Sequence, residues 1–151
     1  GHSHVLAPER RTDRGCREVL LRLIQKAAGR LRAEGLVTEA MDVRVSGFDD
    51  HWGAHARFDA TSDTLTLNSV FDRLWATREI ARPHKVGVTF TELSDRSTVT
   101  PSLFDAEPRR DHLMSALDGL NGRYGRNAVF LAGMETVRHE ARDRIAFGKI
   151  D

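Results

Sequence analysis

Apolar residues along the chain keep two different periods, and the places where the period changes divide it into elements. Over residues 13–34, Leu20, Ile24, Ala27, Ala28 and Leu31 recur at helical spacing, while Arg17, Lys26, Arg30 and Arg32 lie mostly off that stripe. Thr12 supplies an N-cap and Gly35 a stop. A second helix is predicted over 65–76, with Leu67, Val70, Phe71, Leu74 and Trp75 on its buried face and Asn68, Asp72 and Arg73 on the other. Between the helices the period falls to two. Met41, Val43 and Val45 alternate with Asp42, Arg44 and Ser46, and Trp52, Ala54, Ala56 and Phe58 alternate with Gly53, His55, Arg57 and Asp59. The turn-rich Gly47-Phe48-Asp49-Asp50 joins the two strands into a hairpin. After Pro83, Val86, Val88 and Phe90 alternate with Lys85, Gly87, Thr89 and Thr91, which predicts a further strand.

Counting the opening His2-Ser3-His4-Val5-Leu6 as extended gives the order β-α-β-β-α-β. Each strand has one apolar face and each helix one apolar stripe. The predicted fold is therefore α+β: a two-layer sandwich with a four-stranded antiparallel sheet, both helices on one face and the other face open. Residues 96–108 read as a connector. A third helix starts near Pro108, with Leu113, Leu117, Leu120 and Tyr124 as its stripe. The runs Ala128-Val129-Phe130-Leu131-Ala132 and Arg144-Ile145-Ala146-Phe147 read as strands of a C-terminal α/β extension.

Composition narrows the classes. A chain of 151 residues, 40% hydrophobic and 30% charged, suits one folded domain. No apolar run approaches the roughly 18 residues that a membrane-spanning helix requires. The single cysteine, Cys16, forms no internal disulfide, and the first residues lack the pattern of a secretory leader, so a reducing, cytoplasmic setting is expected. With 23 basic and 22 acidic side chains the net charge is +1, so an electrostatic footprint has to come from one face, not from the bulk.

Candidate chemistry is sparse. His2 and His4 are two apart and His51 and His55 four apart, but neither spacing falls on a helix where it would converge on a metal ion, and no metal site is predicted. Cys16 has no companion motif and reads as an inert thiol, and phosphate-binding loops and nucleophile elbows are absent from the sequence. What remains is the open sheet face, which displays Arg44, Ser46, His55, Arg57, Lys85, Thr89 and Thr91, with Asp42 and Asp59 toward its ends. Short hydroxyls and long cations on a shallow sheet suit phosphate oxygens. Ordinary solvation of an antiparallel face explains the same pattern.

The order of elements and several local strings resemble the little-finger domain of Y-family translesion DNA polymerases of the UmuC and DinB type. The strings are Gly1-His2-Ser3-His4-Val5-Leu6, Arg30-Leu31-Arg32 with Gly35-Leu36, and Lys85-Val86-Gly87-Val88, covering about residues 1–95. Residues 109–151 resemble the UmuC-like C-terminal extension. Within the connector, Ser102-Leu103-Phe104-Asp105 resembles the end of the peptide by which such polymerases dock on the sliding clamp, although Thr100 and Pro101 stand where the usual Gln and Leu would be.

The resemblance implies a non-catalytic, sequence-independent DNA-binding domain of a DNA repair polymerase. Duplex DNA at a primer-template junction would cross the sheet at Arg44, Ser46, His55, Arg57, Lys85 and Thr89, with His84, His2 and His4 at the margins. It implies no cofactor in this part of the chain, because the family's metal-binding carboxylates belong to the palm. The remaining partners would be the palm, fingers and thumb of a parent nucleotidyltransferase and, through Ser102, Leu103 and Phe104, the clamp. The alternative is a protein-interaction module of a catalytically inactive polymerase homologue that docks other repair subunits or the sliding clamp.

Overall fold

The computed structural model describes residues 1–100, 107–125 and 128–129. Strand β1 (His2–Val5) leads through a 3-10 turn at Pro8–Arg10 into α1 (Asp13–Ala33). The hairpin β2 (Leu36–Gly47) and β3 (His51–Thr61) follows, then α2 (Thr64–Trp75), β4 (Pro83–Asp95) and α3 (Glu107–Tyr124). The sheet is antiparallel throughout, in the order β1-β4-β2-β3. This is the α+β sandwich that the two periodicities predict.

Helix starts are fixed by side chains that satisfy otherwise orphaned amides. The Thr12 hydroxyl accepts from the Gly15 amide at 3.1 Å, and the Asp63 carboxylate accepts from the Thr66 amide at 2.9 Å, which starts α2 at Thr64. Gly35 ends α1 because its φ of +68° is a left-handed conformation that a side chain disfavours. The core lies between the helices and the inner sheet face. Val19, Leu20, Leu23 and Ile24 of α1 and Leu67, Val70 and Phe71 of α2 meet Met41, Val43, Val45, Val86 and Val88 of the sheet. Each such side chain contributes about 1.5–3 kcal/mol by leaving water. Trp52, on edge strand β3, is only half-buried and meets Trp75 edge-to-face at 5.8 Å.

Two expectations are corrected. Strands β2 and β4 extend beyond 41–46 and 85–91, because an irregularity at Thr38–Ala40 and a left-handed residue, Glu92 at φ +51°, break the alternation without ending the pairing. The buried face of α3 is not the expected stripe. Met114 and Leu117 are buried, whereas Leu113, Leu120 and Tyr124 are exposed. A buried guanidinium sets this rotation: Arg32 donates to both Asp118 carboxylate oxygens, at 2.6 and 2.9 Å, and to the Ser62 carbonyl and Thr64 hydroxyl. Ala128 and Val129 sit in a bend where Asn121 pairs with the Val129 backbone in both directions. Phe130, Leu131 and Ala132, the run from Arg144 to Phe147, and Ser102, Leu103 and Phe104 fall outside the described residues.

Cys16 is fully buried, and its thiol is pushed up from 9.0 to about 12, chiefly by burial and secondarily by Asp13, with Arg78 opposing. A folded pKa above the unfolded one means that this contribution to stability is complete below the unfolded value of 9.0 and is lost as pH rises toward 12. Alkylation by iodoacetamide at pH 8 is expected to wait on unfolding and to speed up by on the order of 100-fold or more in denaturant. Rapid labelling of the native chain would show that the α1 core is open.

Candidate nucleic-acid interface

Strand register sorts the open face into rows that cross the sheet. Ser3 pairs with Gly87, Gly87 with Arg44, and Arg44 with Gly53. Toward the hairpin turn the next row is Val5, Lys85, Ser46 and His51; on the other side come Thr89, Asp42 and His55, then Thr91, Ala40 and Arg57. Arg44 thus stands alone on a floor with glycine on both sides. A Cβ at Gly87 would meet nothing nearer than 3.4 Å, and one at Gly53 nothing nearer than 3.6 Å, so packing within the chain does not demand glycine at either place. What the missing side chains leave is access to the backbone. A depression of about 330 Å³ opens there, with Arg44, Lys85, Ser3, Ser46 and Thr89 around it.

The cations of this face are not equivalent. His55 Nδ1 lies 3.2 Å from an Asp42 carboxylate oxygen, and Arg57 donates to Glu92 at 2.5 Å. Among the described residues Arg44 and Lys85 have no ion pair, and both are exposed. The half of the face nearest β1 therefore offers unpaired positive charge with hydroxyls, while the β3 half is largely compensated. The pairs His55–Asp42 and Arg57–Glu92 are invisible in the sequence because they depend on register. Gly53 and Gly87, set at polar positions of alternating strands, are the one signal that points to the floor.

The three marginal histidines are placed differently from the cations, although His2 lies along the β1 wall of the depression. His2 pairs with Val88 and His4 with Val86, so both share the helix-facing side; Leu6, in the same phase and 1% exposed, fixes that orientation. His84 lies at the start of β4 with its ring 4.7 Å from Phe48, and its Nδ1 is buried without a hydrogen-bond partner. Phe48 itself is 59% exposed with Arg11 over its ring. Among the described residues no group of three His, Cys, Asp or Glu side chains is placed to hold a metal, and no helix is long and apolar enough to cross a membrane.

The chain matches the C-terminal domain of the impB/mucB/samB family over residues 1–103. The chain belongs to that family: it is a little-finger domain of the Y-family translesion polymerase type, a class with a role in DNA binding and repair. It is similar to DNA polymerase IV 2 of Bacillus subtilis (strain 168), with 26% identity over 140 residues that cover 89% of this chain and 34% of the relative. The chain thus spans about a third of the length of the curated relative it matches.

Proposed function

We propose that this domain grips the sugar-phosphate backbone of duplex DNA near a primer-template junction, without reading sequence and without catalysing a reaction itself. The observation that carries this reading is the glycine-floored depression with Arg44 and Lys85, which have no ion pair among the described residues, at its rim. A flat floor lets a phosphodiester come close to the sheet. Two cations then supply charge, and Ser3, Ser46 and Thr89 supply hydroxyl donors. Contacts of these cations and hydroxyls to phosphate oxygens fix position and carry no sequence code. His55 and Arg57 extend the contact toward β3 once their acidic partners are displaced.

In this reading residues 1–95 hold the DNA, 96–108 connect, and 109–151 form an extension. Phosphoryl transfer belongs to the palm of a longer parent chain, and this domain needs no cofactor of its own. A protein partner is favoured at one other place, the exposed stripe of Leu113, Leu120 and Tyr124 on α3, directly after the clamp-like Ser102, Leu103 and Phe104. There a sliding clamp or another repair subunit would dock.

Fluorescence anisotropy with primer-template duplexes of unrelated sequence tests the main reading. Binding is expected to be weak, independent of sequence and steeply salt-dependent. Arg44→Ala and Lys85→Ala should each flatten the plot of log affinity against log salt by about 0.9. No binding at low salt, or slopes unchanged in both variants, would take DNA off this face.

A further inference from the structure

Glu92 is the single non-glycine residue with positive φ among the described residues, at +51° toward the C-terminal end of β4. A left-handed conformation costs an L-residue with a Cβ on the order of 1–2 kcal/mol, and such strain persists only where the surroundings enforce it. Here it accompanies a specific contact. Register pairs Thr91 with Ala40 and Leu93 with Thr38, leaving Glu92 out of the regular ladder. The Glu92 carboxylate accepts from Arg57, which stands on β3, two strands away. The pair therefore straps across β2 over Ala40, the small buried residue that sits between Thr91 and Arg57. Arg57 is otherwise exposed, at 72% of its side chain.

A carboxylate on an exposed guanidinium occupies the donors that a phosphate would use, with the same charge sign and similar geometry. We propose that Glu92 is an internal phosphate surrogate: it holds Arg57 in the unbound domain, and DNA gains Arg57 only by displacing it. Glu92 is then the residue that limits the affinity of the open face. This rests on the DNA-binding reading, and it adds a residue that works against binding. Its effect is confined to the β3 half, because Arg44 and Lys85 carry no comparable partner among the described residues.

The test uses the 151-residue chain with Glu92→Asn, Glu92→Gln, Arg57→Ala and the double variant Arg57→Ala with Glu92→Asn. Asn accepts left-handed backbone and removes the charge, while Gln keeps the length, so one variant stands if the other folds poorly. Melting temperatures no lower than wild type qualify each protein. Both neutral variants are expected to bind duplex about threefold to fivefold more tightly near 50 mM salt. Their salt slope should steepen by about 0.9, so the gain shrinks by about threefold on going to 200 mM. The double variant should bind like Arg57→Ala alone. Unchanged affinity and slope in Glu92→Asn and Glu92→Gln, or a gain that survives removal of Arg57, overturns the proposal. If those results come while Arg44→Ala and Lys85→Ala still weaken binding, only the role of Glu92 falls; if no protein binds at low salt, the DNA reading falls with it.

Discussion

Phe71→Ala is expected to destabilise the domain by about 3–5 kcal/mol. Phe71 is fully buried, and its ring lies 5.6 Å from that of Trp75 in the same helix. It belongs to the cluster in which α2 meets α1 and the inner sheet face, so truncation leaves a cavity where neither helix can easily collapse. At about 2–4 °C per kcal/mol for a chain of this size, the melting temperature should fall by roughly 10 °C or more. Exposed Arg44→Ala serves as the control that should melt like the wild type. Equal melting of Phe71→Ala would sink the helix-on-sheet core, and the open face would lose its definition, since it is open only because the helices occupy the other side.

Reversing both unpaired cations, Arg44→Glu with Lys85→Glu, is expected to weaken duplex binding by roughly 100-fold at low salt, about 2.7 kcal/mol. The effect exceeds that of two alanines because each reversal deletes an attraction to phosphate and adds a repulsion beside it. The two residues rim the same depression, so the charges act on neighbouring phosphates. Neither side chain has an ion pair among the described residues to lose, so the melting temperature should stay within a few degrees of wild type. Binding retained within threefold would move the DNA to another surface.

The sequence made the sandwich legible where strands are half-buried in regular alternation, as in Val43 and Val45 against Arg44 and Ser46. It failed where the phase slips. The irregularity near Thr38 and the left-handed Glu92 hide the far ends of β2 and β4, since a local backbone distortion disturbs the alternation of faces while the pairing of β2 with β4 runs on in register. The orientation of α3 was hidden for another reason: Arg32 and Asp118 lie 86 residues apart, and a polar contact between them outweighs the Leu113, Leu120 and Tyr124 stripe. In the candidate site, the polar phase alone exposed Arg44, Ser46, Lys85 and Thr89 as surface groups. It did not distinguish unpaired Arg44 from Arg57, because the partner of Arg57 comes from β4, across an intervening strand. His2 and His4 read as marginal contacts because β1 is too short for its own alternation to set its phase; Leu6, just past its end, does that instead.

Strand β1 has four residues, lies at the sheet edge and pairs on one side only. Short edge strands open at far lower free energy than the centre of a sheet. Gly1, His2 and Ser3 form one wall of the depression, whereas Arg44 and Lys85 stand on the central strands. Fraying of β1 would dismantle that wall while the cations stay in place, turning a closed cup into an open shelf. Any ligand that touches Ser3 binds the cup more tightly than the shelf, and by linkage its presence draws the strand shut.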